Sequence, residues 1–495
     1  MPQRDQHHVR RRRGRLVVAL VTTLAMQATV LGVAWWQGDL DRLLGTEPVT
    51  LTPVIDVPAT DVPATDAPVP DGSTLPEARS RLPVLEAPAG PRIDAEALEA
   101  RVDPLLAAPR FGARIGFAVH DLTHDAPVLR SGPGAYMPAS TLKLMTAAAV
   151  LEQLGPDHRF STRVTLDAGT PDAGAPTVTL VGGGDPLLAD GDDPGAYPQP
   201  VTLRDLVTPT VTVLRAEGTR RVRVGYDDSL FTGPSASPTW EEQYVPGVTS
   251  PVSALWFDEG IDPDTGLRAS DPAALAGQQF DQALEARGIR VVGDPARTPA
   301  GSTELVSLDG PTREATVGSV LGSSDNEGAE VLLRQLAIAG GQPASFAGGT
   351  RAMRTVLTGL GVSWRGVEVY DGSGLSRANA VPLTTLLEVL RLGADDGLPQ
   401  LRSVLAELPV AGFDGSLVDR YAAPGTLAGR GLVRAKTGTL SGTHGLAGVV
   451  VDTDGVQLAF VALANGVAER NTLFARDQLD RVSTALATCG CSRAG

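Results

Sequence analysis

Hydrophobic and polar positions alternate along much of this chain in ways that separate strands from helices. "ARIGFAVHDL" and "PVLRSG" flank "THDA", the pattern of a β-hairpin. "TVTLV", "VRVGYDDSLF" and "GLVRAKTGT" predict further strands, and "GLAGVVVDTDGVQLAFVALANG" predicts two strands around an Asp-Thr-Asp-Gly turn. Apolar residues recur at helical spacing in "DAEALEARVDPLL", "LRDLVTPTVTVLRAEG", "DPAALAGQQFDQALEARG", "EGAEVLLRQLAIAGG", "FAGGTRAMRTVLTGLG" and "DQLDRVSTALATC". A further helix is expected to start at Ser140, with Leu142, Met145, Thr146 and Ala149 on its buried face. Helices before and after a meander of antiparallel strands predict a mixed α/β domain interrupted by an insertion.

The first 92 residues follow other rules. "RRRRGR" (10–15) precedes a 21-residue uncharged run, 16–36, that ends in Trp35–Trp36. That length and those flanks fit one bilayer crossing with the basic tail (1–15) cytoplasmic and everything after Trp36 outside. A cleaved signal segment is the competing reading, although no small-x-small cleavage site precedes Gln37. Residues 37–92 repeat Asp-Val-Pro-Ala-Thr, a composition that cannot bury a core and predicts a disordered spacer. At 495 residues the remainder holds ample apolar content for more than one domain. The net charge of −15 and the absence of a basic surface beyond the N-terminus exclude a nucleic-acid partner. Cys489 and Cys491 are the only cysteines; a strained disulfide across one residue and a free pair are both open, and a zinc site would lack ligands.

Of 42 basic residues only two are lysines, Lys143 and Lys436. An amine can lose its proton at workable pH and serve as a base, whereas a guanidinium cannot. Ser140 and Lys143 stand three apart, so on a helix the amine reaches the hydroxyl. "SDN" (Ser324–Asp325–Asn326) lies ahead of a helix, and "KTGT" (Lys436–Thr439) lies on a strand. Ser-x-x-Lys, Ser-x-Asn and Lys-Thr-Gly in that order resemble the signature of the penicillin-recognising serine acyltransferases. The bland alternative makes Ser140 a helix cap, Asn326 a turn former and Lys436 a surface charge.

On the acyltransferase reading Ser140 is the nucleophile and Lys143 its base. Ser324 relays a proton to the leaving amine, and Asn326 holds the substrate amide. The backbone N–H groups of Ser140 and Thr439 receive the oxyanion. Lys436 helps to lower the pKa of Lys143 and, with Thr437 and Thr439, binds a substrate carboxylate; Gly438 keeps the strand bare where substrate lies. His444 is expected to be a strand or loop residue, because lysine already fills the base role. Asp185, Asp227 and Asp228 are expected to form turns, with a calcium site as the alternative.

The resemblance extends further. "YMPASTLKLMTAAAVLEQLGPDHRFST", "LVGGGDPLL", "YDDSLF", "DGSGLSRAN" and "LPVAGFDGSL" are similar to recurring stretches of the low-molecular-mass class C penicillin-binding proteins, the serine D-Ala-D-Ala carboxypeptidase/endopeptidase family. The likeness covers about residues 93–488. It implies a transpeptidase/β-lactamase-like fold, with a five-stranded antiparallel sheet flanked by helices. The implied catalytic parts are 93–165 and 306–488, the inserted accessory domain is 166–305, and the tail is 489–495. Ser140 and Ser324 stand 184 positions apart, which implies one insert, with a second missing or vestigial. The resemblance also implies peptidoglycan stem peptides as substrate, β-lactams as covalent inhibitors, no metal or organic cofactor, and Arg377 either on the stem-peptide side chain or on loop backbone. Two other functions remain open at this point. A serine β-lactamase would need a deacylation base, yet no Glu-x-x-Leu-Asn segment lies between the first two motifs; a non-catalytic wall-binding protein would have no reason to keep all five motif residues.

Overall fold

The computed structural model describes residues 91–168, 174–191 and 193–493. The proposed membrane segment (16–36) and nearly all of the spacer lie outside them. In chain order the main elements are α1 (Ala95–Leu106), β1 (Arg114–Asp121), β2 (Ala126–Ser131), α2 (Lys143–Leu154), β3 (Arg159–Asp167), β4 (Thr177–Val181), α3 (Leu203–Ala216) and β5 (Arg221–Asp227). They continue with α4 (Pro272–Ala286), β6 (Thr303–Thr312), α5 (Arg313–Ser323), α6 (Asn326–Ala339), α7 (Phe346–Gly359), α8 (Leu383–Ala394), β7 (Val433–Leu440), β8 (Thr443–Val451), β9 (Gln457–Asn465) and α9 (Thr472–Ala487). Among the described residues no helix is long and apolar enough to cross a membrane.

The five-stranded sheet runs β7-β8-β9-β1-β2 and is antiparallel throughout. Both of its faces are covered, which is why β8 and β9 read as nearly continuous apolar runs. Along β9, Leu458, Phe460 and Ala462 pack with α1 and α9. Their alternates Ala459, Val461 and Leu463 pack with α2 and α8. Helix α2 is buried from Lys143 through Leu151 between the sheet and α5–α8, and Gly155 ends it at φ 77°.

The second sheet takes its strands from residues 159–312 and is mixed. β6-β3-β4 are antiparallel, β5 joins β4 in parallel, and Arg290–Val291 and Ala296–Arg297 pair with β5. Helices α3 and α4 cover it around Leu206, Val207, Phe280 and Leu284. A capping box between Thr202 and Asp205 starts α3. At the chain end Cys489 and Cys491 are joined as a disulfide, and Asp94 N–H donates to the Cys491 carbonyl at 2.8 Å, tying the start of the described chain to its end.

One boundary differs from expectation. The helix expected to begin at Ser140 begins at Lys143, and Ala139–Leu142 form a 3₁₀ turn closed by Lys143 N–H on the Ser140 carbonyl. Ala139 holds φ 48°, a left-handed conformation that a non-glycine residue adopts only under constraint, so the chain reverses too tightly for an α-helical start.

Candidate active site

The turn that carries Ser140 is fastened from below. Met137 N–H donates to Asn465 Oδ1 at 2.9 Å, and Asn465 Nδ2 donates to the Met137 carbonyl at 3.2 Å. Thr141 Oγ1 donates to the Pro138 carbonyl at 2.7 Å. Edge strand β7 passes directly over this turn: a Cβ on Gly438 would stand 2.8 Å from the Pro138 carbonyl oxygen and 3.1 Å from Thr141 Cγ2. The turn that carries Ser140 is therefore itself a reason for glycine at this position.

Lys143 is 1% exposed, and its Nζ has three oxygen neighbours. Ser140 Oγ lies at 3.0 Å, Asn326 Oδ1 at 2.8 Å and the Ser373 carbonyl at 2.9 Å. Burial pushes its pKa down to about 8, while Asp325, Glu330, Asp371 and Glu327 pull the other way. A neutral amine carries two N–H donors and one lone pair. Two acceptors take the protons, and the lone pair is left for the serine hydroxyl.

Lys436 is fully buried and donates to the Thr437 carbonyl at 3.1 Å. Burial and repulsion from Lys143 hold its pKa well below the usual lysine value. At Lys143 the downward push comes from burial, and the repulsion between the two amines is felt at Lys436. Thr437 Oγ1 meets Ser416 Oγ at 3.0 Å, and Thr439 is exposed on β7, opposite His444 in the register. Ser324 ends α5 in the left-handed region at φ 65° and is half-buried, two residues before Asn326. Asp325 caps α6 by accepting from Gly328 N–H at 2.9 Å.

The loop 371–379 supplies the Ser373 carbonyl. Asp371, wholly buried, accepts from Trp240 Nε1 at 2.8 Å, Asn379 Nδ2 at 2.8 Å, Gly374 N–H at 3.1 Å and Ser376 N–H. Arg377 donates to the Ser441 carbonyl at 2.7 Å and pairs with Glu241 at 3.2 Å, which favours the backbone-binding reading of this arginine. His444 lies on β8, 1% exposed, with burial and the nearby Arg476 and Arg420 lowering its pKa to about 4. Neither of its ring nitrogens has a hydrogen-bond partner among the described residues. Asp185 and Asp227 accept backbone N–H groups at turns, from Leu187 at 3.0 Å and from Ser229 at 2.9 Å. Asp228 instead pairs with Arg297 at 2.9 Å.

Among the described residues one acidic group has the spacing of a metal site: Glu259, Asp325 and Glu327. Repulsion from Asp325, then burial, raises the Glu259 pKa to about 8, and burial with Glu327 raises Asp325 to about 6. A cation is already present there as protein, because Arg268 Nε pairs with Glu327 at 2.7 Å.

Sequence reasoning did not find Asn465, Glu241, Glu330 or the Ser373 carbonyl. Asn465, a polar residue ending the apolar run of β9, carried a legible signal; a backbone carbonyl carries none.

Similarity to known proteins agrees with this geometry. The model of the D-Ala-D-Ala carboxypeptidase 3 (S13) family matches residues 98–264 and 262–486. The chain belongs to that family. A carboxypeptidase of Mycobacterium tuberculosis is 32% identical over 419 residues, covering 83% of this chain and 87% of the relative. The carboxypeptidase DacB of Mycolicibacterium smegmatis is 34% identical over 397 residues, covering 78% and 83%. The crystal structure of penicillin binding protein 4 from Haemophilus influenzae superposes with a TM-score of 0.63 at 20% identity, covering 79% of this chain and 98% of that one, which establishes a shared fold. The family's fold and the sheet order found here are the same mixed α/β architecture around a five-stranded antiparallel sheet.

Proposed function

We propose that the chain is a serine D-Ala-D-Ala carboxypeptidase acting on peptidoglycan stem peptides through an acyl-enzyme on Ser140. The observation that carries this reading is the amine of Lys143 at 3.0 Å from Ser140 Oγ with both remaining positions occupied by acceptors. Membership of the S13 family supplies the substrate class.

Ser140 Oγ attacks the carbonyl carbon of the penultimate D-Ala while its proton passes to Lys143 Nζ. The developing oxyanion is received by the backbone N–H groups of Ser140 and Thr439. The C–N bond then breaks, Ser324 passes a proton to the departing amine, and free D-Ala leaves. Water hydrolyses the remaining ester, with Lys143 again as base. Lys436, Thr437 and Thr439 hold the terminal carboxylate, whose charge favours the protonated form of Lys436. Asn326 Oδ1 is engaged by Lys143, so its NH₂ is the end that meets a substrate carbonyl. Gly438 leaves β7 close against the nucleophile turn. A β-lactam carbonyl enters the same attack and its ester persists, making these compounds covalent inhibitors. Residues 16–36 anchor the chain with its catalytic part outside the cell, and endopeptidase cleavage of D-amino cross-links is a second use of the same acylation.

Digesting purified muropeptides and resolving the products tests the reading. Wild-type protein is expected to release D-Ala from pentapeptide stems, while a folded Ser140→Ala variant releases none and takes no fluorescent penicillin. Release by the Ser140→Ala variant would place the nucleophile elsewhere, and intact pentapeptides with the wild type would refute the activity.

A further inference from the structure

Lys143 Nζ needs two acceptors in fixed places if its lone pair is to face Ser140. One of them, Asn326 Oδ1, is borne on the first residue of α6. The other, the Ser373 carbonyl, belongs to a loop and has to be held. Glu330 lies four residues after Asn326, on the same face of α6 one turn on. Its carboxylate is wholly buried, and it accepts from Gly372 N–H at 3.0 Å and 2.9 Å and from Ser373 N–H at 2.8 Å. Thr146, three residues after Lys143 on α2, donates to the Gly372 carbonyl at 2.7 Å, so the loop is also sewn to the helix carrying the base. Asp371 takes Gly374 N–H, which belongs to the same peptide unit as the Ser373 carbonyl. Gly374 itself, at φ 89°, packs against the Ala139 carbonyl where a Cβ would collide.

We propose that Glu330 is a positioning residue for the base: through the Gly372 and Ser373 N–H groups it fixes the Ser373 carbonyl, and that carbonyl orients the Lys143 amine toward Ser140. One helix then delivers both acceptors, Asn326 directly and Ser373 by way of Glu330. The inference rests on the acylation chemistry proposed above. A buried carboxylate spent only on backbone N–H groups would affect folding alone. Glu330 also faces charged groups: Lys143 from α2, Asp371 from the loop, and Arg334 on α6 itself. Burial and Asp371 raise the Glu330 pKa to about 8, while the Gly372 and Ser373 N–H donors favour its charged form, and in that charged form it supports the protonated Lys143. Where that charge is present, removing it lets burial depress the amine further, and the acid limb of the acylation profile moves to lower pH.

The test is the second-order constant for acylation by a fluorescent penicillin from pH 5.5 to 9.5, with thermal unfolding measured alongside. Glu330→Gln has the right shape and keeps one acceptor oxygen, and it is expected to shift the acid limb downward. Its plateau should be lower by about tenfold. Glu330→Ala loses both acceptors and is expected to lose about 10²-fold at the plateau, the scale of a displaced catalytic group. If Glu330→Ala fails to fold, Glu330→Gln still decides. A folded Glu330→Gln variant with the wild-type plateau and the wild-type limb would overturn the proposal. Failure of the functional reading is separately visible, since the wild-type protein would then take no label.

Discussion

Replacing Lys143 by arginine keeps a positive charge on a long side chain and removes the ability to lose a proton near neutrality. The structure sets the size of the effect. Burial holds Lys143 at about 8. About one lysine in ten is then neutral at pH 7, against roughly one in 3,000 at the ordinary value of 10.5, so the site supplies on the order of 300-fold more base. Proton transfer by a placed base contributes ~10²–10⁴ in rate. The Arg variant loses that contribution, and its planar head cannot occupy a pocket that places one nitrogen at 2.8–3.0 Å from three oxygens. The sign for the wild-type protein follows. Because the folded value lies below the ordinary one, the active neutral form appears as pH rises through about 8, so acylation should climb tenfold per pH unit from 6 and flatten above 8. Stopped-flow acylation by a fluorescent penicillin measures both. A Lys143→Arg variant within tenfold of wild type, or a wild-type profile flat from pH 6 to 9, would refute the assignment of the base.

Two further outcomes are expected. Gly438→Ala places a Cβ 2.8 Å from the Pro138 carbonyl oxygen, a backbone atom that cannot yield cheaply; it should destabilise by about 1–3 kcal/mol and displace the nucleophile turn, so denaturant unfolding and penicillin labelling should both fall, and unchanged labelling would show that β7 does not bear on the turn. Full-length protein should sediment with membranes through a high-salt wash, while a chain starting at Gly38 stays soluble; a full-length chain in the soluble fraction would sink the anchor.

The chemistry was legible because it rests on side chains at fixed spacings. Scarcity sharpened it: with only two lysines in the chain, Lys143 and Lys436 drew notice where an arginine would not. The five-stranded sheet was legible in β8 and β9 because both faces are covered, and long apolar runs leave little room for another assignment. The second sheet was harder. "RFSTRVTLD" (β3) and "TELVSLDGPT" (β6) put threonine, serine and charged residues into strands whose pairing is irregular, with register shifts between Glu304 and Val306 and between Asp309 and Thr312. Three features had no residue signature. The helix start moved to Lys143 because of a backbone reversal at Ala139. Gly438 proved to answer to a neighbouring carbonyl. The second acceptor for Lys143 is main chain, and the two carboxylates that hold its loop, Glu330 and Asp371, lie 41 positions apart in sequence.

Those carboxylates also explain why the base sits where it does. A lysine buried this deeply pays for desolvation by losing its proton, and with nothing opposing it the amine would become too weak a base to draw a proton from a serine. Four acidic groups oppose it: Asp325, Glu330, Asp371 and Glu327. Each also performs a local task, since Asp325 caps α6, Glu330 and Asp371 hold the loop, and Glu327 accepts from Ser250 N–H and pairs with Arg268. The scaffold that places the amine is thereby the same set of charges that tunes it. A substitution in this ring is therefore expected to move rate and pH profile together, whereas an equally buried residue outside it, such as His444 on β8, should move stability alone.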